Sequence, residues 1–134
     1  MHPLLKLVSG VAKGIHAHHK AQVRLAHSLT GEERELAHFA AQLHAGFFER
    51  PMGVLAITTK ALRFEKSLSA MGRATSGALE IPLSIIRSVT AAGAGLFGGK
   101  VTLMTDNASW TFAFVTSSRA QHVRDVITAA CKGE

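Results

Sequence analysis

Apolar residues recur at three- to four-residue steps at both ends of the chain and at two-residue steps between them, so the sequence divides into helix, meander and helix. In "PLLKLVSGVAKGIHAHHKAQVRLAHSL" the residues Leu4, Val8, Val11, Ile15 and Leu25 keep the helical step, and Pro3 suits a first helical turn. A wheel of about 100° per residue gathers Lys6, Lys13, Lys20 and Arg24 into an arc of about 40°, opposite the stripe through Val11 and Ile15. Gly10 and Gly14 each weaken this helix by about 1 kcal/mol relative to alanine, so it needs a surface to dock on. Residues 28–31 break the pattern, and Thr30 followed by Glu33 in "TGEE" has the capping-box spacing. The next stretch reads two ways. Leu36, Phe39, Ala40 and Leu43 fit a helix, Ala37, Phe39, Ala41 and Leu43 fit a strand, and the local pattern leans helical.

From Gly53 the period is two, in short runs bounded by Gly, Ser, Asn and Asp, as in an antiparallel meander. Residues 54–58 and 61–66 form a first hairpin. A polar loop, "SLSAMGRATSG", leads to Leu79, Ile81 and Leu83 on one face and then to a strand over 85–90; Pro82 removes a ladder donor and marks an edge or a bulge. After the glycine-rich turn "GAGLFGGK" come Val101 and Leu103, a turn at Asp106-Asn107, and Trp110, Phe112 and Phe114 at period two, which read as core. Ser117 or Ser118 can cap a last helix whose apolar face is Ala120, Val123, Ile127 and Ala130.

Composition narrows the class. With 134 residues, 47% of them hydrophobic and 18% charged, the chain fits one globular domain. Its single cysteine, Cys131, excludes an intrachain disulfide and a CxxC pair, so a reducing, cytoplasmic setting is expected. No apolar run reaches the roughly 20 residues of a membrane span, and Lys6, Lys13 and two glycines interrupt the opening stretch, unlike a signal peptide. Charge is distributed unevenly: residues 1–28 hold Lys6, Lys13, Lys20 and Arg24 and no acid, hence four of the six net positive charges. Five of the eight histidines, His2, His16, His18, His19 and His27, share that segment.

Four motifs in order carry a family resemblance. "LTGEE" is similar to an L-x-GE start; "GVLAITTKALRFEK" matches a G-vLalT-x-x-RLlF hairpin at Gly53, Thr58, Leu62 and Phe64. "EIPLSIIRSV" follows an ipl-x-x-I-x-x-V strand pair, and "ASWTFAFV" a W-x-F-x-F strand. Through them residues 29–131 resemble the bacterial pleckstrin-homology-like (PH-like) domains, the YokE-like and related families; Ala61 departs from the arginine or polar residue common before Leu62. The resemblance implies an α+β, mainly β chain: a partly open barrel of about seven antiparallel strands in two sheets. Residues 35–43 become its first strand, and a C-terminal helix plugs one end through Val126 and its neighbours. Residues 1–28 form a basic amphipathic helix outside the domain, which spans 29–134.

Such a fold does not dictate a function. The expectation is a non-enzymatic interaction module for a protein partner or for self-association, with the apolar face Leu4, Val8, Val11, Ile15 as the contact. The alternative is peripheral attachment to an anionic membrane surface through Lys6, Lys13, Lys20 and Arg24, an apolar face entering the acyl boundary. Phe47, Phe48 and Arg50 in "AGFFERPM" are candidate loop contacts, although one cation there is a thin basis for headgroup specificity. "HAHHK" puts His16 and His19 one turn apart with no third ligand nearby, so no metal is expected. No cofactor, nucleic acid or small-molecule substrate is expected either: no aromatic platform accompanies the charges, "GAGLFGG" lacks the Lys-Ser/Thr of a phosphate loop, and Asp106 and Asp125 have no suitably placed nucleophile.

Overall fold

The computed structural model describes residues 17–29, 31–45, 50–69, 75, 77–93 and 98–133. A helix over residues 17–28, α1, precedes seven strands: β1 (Glu35–Leu43), β2 (Met52–Thr58), β3 (Ala61–Leu68), β4 (Ala78–Pro82), β5 (Ser88–Gly93), β6 (Gly99–Met104) and β7 (Ser109–Phe114). Helix α2 (Ser117–Cys131) closes the chain. The strands form one antiparallel sheet in the order β4-β3-β2-β1-β7-β6-β5, open between β4 and β5. The two sheets implied by the resemblance are thus two halves of one ladder. They join where Gln42 and Leu43 of β1 meet Ala113 and Phe112 of β7, extended by the His44 N–H to Thr111 O bond at 2.9 Å.

Residues 35–43 are strand, and their burial shows why the helical pattern loses. Phe39, Ala41 and Leu43 point into the core while His38 and Ala40 face out, the alternation a sheet requires. The same face continues through Leu55, Ile57, Leu62, Phe64, Ile81, Val101, Leu103, Phe112 and Phe114. Each such side chain contributes about 1.5–3 kcal/mol on burial. Helix α2 lays Ala120, Val123, Ile127 and Ala130 over the open side, with Val126 packed at their margin.

Local chemistry shifts three boundaries. Glu33 caps no helix; its side chain is buried below β1. Pro82 ends β4 as an edge strand, and Leu83–Ile85 form a 3-10 turn held by Ile86 N–H to Leu83 O at 3.2 Å, so the next strand starts at Ser88, not at residue 85. Neither Ser117 nor Ser118 caps α2: extended Thr116 does, its Oγ1 accepting from Arg119 N–H at 3.0 Å. Gly53 is glycine because a Cβ there would lie 2.2 Å from the Glu65 carbonyl oxygen, at a register shift between β2 and β3.

Candidate functional site

Helix α1 lies on the outer face of the sheet. Ala17, Ala21 and Leu25 are buried, and Ala21 and Leu25 form a small second cluster with Val54 and Ala56 of β2, flanked by Leu29. Alanines let the helix approach the strands closely, and Leu25 supplies most of the apolar gain. Polar bonds fix its register. Arg24 donates from Nε to Glu65 Oε1 at 2.7 Å and from Nη2 to the Lys66 carbonyl at 2.7 Å, and His18 Nδ1 lies 2.9 Å from Ser67 Oγ. Of the four cations in the predicted basic arc, Lys20 is exposed and Arg24 is held by the sheet; Lys6 and Lys13 lie outside the described residues, as do Leu4, Val8, Val11 and Ile15.

Beside α1 a groove of about 280 Å³ runs between His19, Gln22, Val23 and Ala26 on the helix and Glu35 and His38 on β1. Val23 on α1 and Met52 of β2 are exposed apolar side chains, and Leu36 is exposed at the register shift between Glu35 and Ala37. Glu35 and His38 pair at 2.6 Å on its floor. Among the described residues no group of three or more His, Cys, Asp or Glu is placed to hold a metal ion, and no helix is long and apolar enough to cross a membrane.

The loop after β1 forms a second candidate. Arg50 is half-buried; its carbonyl accepts from the Gln42 amide at 3.1 Å, and its Nε is buried with no hydrogen-bond acceptor among the described residues. The pKa of His44 is held below the usual imidazole value, first by burial and then by the charges of Arg50 and Lys100. The positive field at this ring comes from Arg50 and Lys100, and it favours the neutral form of His44. Phe47 and Phe48 lie outside the described residues.

A third cluster escaped the sequence reading. The Glu33 side chain is 0% exposed and takes two bonds from Arg63, Nη2 to Oε1 at 2.7 Å and Nε to Oε2 at 2.9 Å; the Thr58 hydroxyl also meets Oε2. Thr58 Oγ1 in turn accepts the Lys60 and Ala61 N–H groups, tying the β2–β3 turn to the segment before β1. The guanidinium of Arg63 is more basic than usual, mainly through its hydrogen bond to Glu33. The signal was present as the Glu of "TGEE", the Thr of "AITT" and the Arg of "LRFE", but three motifs distant in sequence do not announce a contact.

No family model and no curated protein matches the sequence. Solved structures do match. The hSac2 domain of the human phosphoinositide phosphatase Sac2 aligns over 98% of this chain and 85% of its own at a TM-score of 0.60, with 9% identity. A DUF1696 family protein with a pleckstrin-homology domain from Shewanella loihica PV-4 aligns over 86% of this chain and 90% of its own at 0.52, with 11% identity. The fold is PH-like. A further match, the Slm1-PH domain solved in complex with inositol-4-phosphate, covers 72% of this chain and 95% of its own at 0.53, with 12% identity. Among the described residues the buried carboxylates of this PH-like domain, Glu33 and Glu65, are each engaged by an arginine, so they serve the fold.

Proposed function

We propose that this PH-like chain is a non-enzymatic interaction module that contacts a protein partner or a second copy of itself, with its N-terminal segment as part of the contact. The observation that carries the reading is a mismatch of helix faces. On a wheel of about 100° per residue, the docked face of α1 (Ala17, Ala21, Leu25) is centred about 110° from the stripe Leu4, Val8, Val11, Ile15. A wheel that carries the α1 frame back through residues 4–15 does not turn both sets toward one sheet. On that wheel the stripe's angle coincides with Gln22 and Ala26, which border the groove toward β1. That continuity supports a partner seated over α1 and β1.

The test is Val11→Glu combined with Ile15→Glu, read by light scattering or partner crosslinking and by thermal unfolding. Association should fall with the unfolding midpoint unchanged. A destabilisation of core size, about 2 kcal/mol or more per residue, would place the stripe inside the monomer and sink the reading.

A second reading, anion binding near His44, is favoured by the positive field of Arg50 and Lys100 there and by the inositol-4-phosphate complex of the Slm1-PH domain. It extends the membrane alternative, because Arg24 is engaged by Glu65 and Lys20 is the exposed cation of the basic arc within α1. Co-sedimentation with phosphoinositide vesicles, lost in Arg50→Gln and at high salt, supports it; no co-sedimentation at low salt excludes it.

A further inference from the structure

Helices packed side by side have axes about 8–10 Å apart, and neighbouring strands are about 4.8 Å apart, so adjacent helices on a sheet face stand two strands apart. α1 sits over β2 and β3, on Val54, Ala56, Glu65 and Ser67. The next place on the same face lies over β1 and β7. There the outward residues of β1 are His38, Ala40 and Gln42, paired with Ala56, Val54 and Met52 of β2, and Ala113 of β7 continues the row from Gln42. Ala40 is exposed and Ala113 half-buried, so the floor is low and uncharged between them. It has a hollow at each end: the groove beside α1, and a second of about 240 Å³ bordered by Ala40, Gln42, Met52, Ala113 and Val115. Val115, on the far wall, is 82% exposed.

We propose that an amphipathic helix of a protein partner lies beside α1 in this slot, small side chains toward Ala40 and Ala113, a larger apolar one in the hollow by Val115, and Asp or Glu at one end. The proposal rests on the reading of the chain as a protein-binding module and names the element of the partner that it takes. α1 shows that alanines let a helix approach this face closely, since Ala17 and Ala21 are buried where it docks. Charge sets the polarity. Lys100 is exposed on β6 directly beyond Ala113, and the Gln42 amide holds the Arg50 carbonyl, so the Gln42 end is positive. The carboxylate bordering the other end, Glu35, is already paired with His38. A second copy fits less well as the occupant. Its α2 exposes Arg119, Gln121 and His122, a polar face, and its residues 1–28 bring four cations and no acid toward Lys100.

The experiment selects displayed peptides of about 18 residues, long enough to hold helix alone, randomised along one face of an alanine-rich helical frame, on the full 134-residue chain. Binders should converge on apolar residues three or four apart with Asp or Glu toward one end. A proline at the centre of a binder should cost at least tenfold in affinity, and Lys100→Glu about fivefold. Ala40→Arg, which fills the floor from an exposed position, should abolish binding; Val115→Glu on the far wall should weaken it tenfold with the unfolding midpoint unchanged, and decides alone if Ala40→Arg disturbs the fold. Failure to select any binder overturns the proposal. Binders that tolerate the central proline, or that tolerate both Ala40→Arg and Val115→Glu, overturn it too, and the module reading then stands or falls on the Val11 and Ile15 variants. Self-association of the chain that Ala40→Arg abolishes would put a second copy in the slot and overturn the choice of occupant.

Discussion

Arg63→Met removes the guanidinium that Glu33 meets through two charge-assisted bonds and leaves a carboxylate whose side chain is 0% exposed. Breaking a buried pair from one side costs about 3–5 kcal/mol, because the remaining charge is uncompensated. The Thr58 hydroxyl still meets Glu33 and places this case at the lower end, about 3 kcal/mol. The Arg63–Glu80 contact, 3.3 Å with Glu80 half-exposed, adds little. Glu33→Gln should cost less, about 1–2 kcal/mol: the amide keeps the shape and an acceptor, and Arg63, 13% exposed, retains Glu80 and some solvent. The double variant should then be more stable than the sum of the single losses implies, with a coupling of at least about 1 kcal/mol. Urea unfolding followed by Trp110 fluorescence gives all three values, provided the slope with denaturant stays constant. A loss below about 1 kcal/mol in Arg63→Met, or strict additivity in the cycle, would show that the pair is not the clamp between the segment before β1 and the β2–β3 turn.

Three further outcomes follow from the packing and the local fields. Gly99→Ala places a Cβ 2.7 Å from both the Ala120 Cβ and the Ser117 Cα, so α2 must shift; the expected loss is about 1–3 kcal/mol in denaturant unfolding, and a neutral result means the helix seat is looser than drawn. The His44 pKa is depressed, so the fold favours the neutral ring: this contribution to stability is full above the ordinary value of about 6.5 and is lost as pH falls below it toward the folded-state pKa. In an NMR titration Arg50→Gln should raise the His44 pKa, burial keeping part of the depression; no rise in either Arg50→Gln or Lys100→Gln refutes the shared field. Arg24→Gln leaves Glu65 without its cation, so amides over residues 17–28 should exchange faster while β2 and β6 stay protected; unchanged exchange in α1 would show that Leu25 alone seats the helix.

The period-two runs were legible because each strand puts one face on a single core: Leu62 and Phe64, Ile81, Val101 and Leu103, and Phe112 and Phe114 are buried as their alternation requires. Residues 35–43 resisted local reading because alanines at 37, 40 and 41 satisfy both periods, and the choice was made by tertiary pairing with β2 and β7. The helix cap was misplaced by one residue because Ser, Ser and Thr all qualify chemically, and only the extended backbone of Thr116 decides. Motif residues that looked like turn chemistry had a stronger role. Thr58 and Glu33 come together 25 positions apart to satisfy a buried carboxylate, a long-range fact that periodicity does not encode.

For the candidate site, charge counting and helical phase had different success. The wheel grouped Arg24 with Lys20, and one residue of that arc turned out to be bonded to Glu65 and the Lys66 carbonyl; a count of cations does not distinguish a solvated charge from one engaged by its own sheet. The buried set Ala17, Ala21, Leu25 consists mostly of small residues, so the sequence pattern included Leu25 alone of the three, in series with the more conspicuous stripe further toward the N-terminus. On the sequence wheel the leucine, valines and isoleucine of the proposed contact stripe fall at another angle from the alanines that meet the domain. That asymmetry is why the proposed partner face is sought on the groove side of α1, over Gln22 and Ala26, and not under the helix where Val54 and Ala56 are already covered.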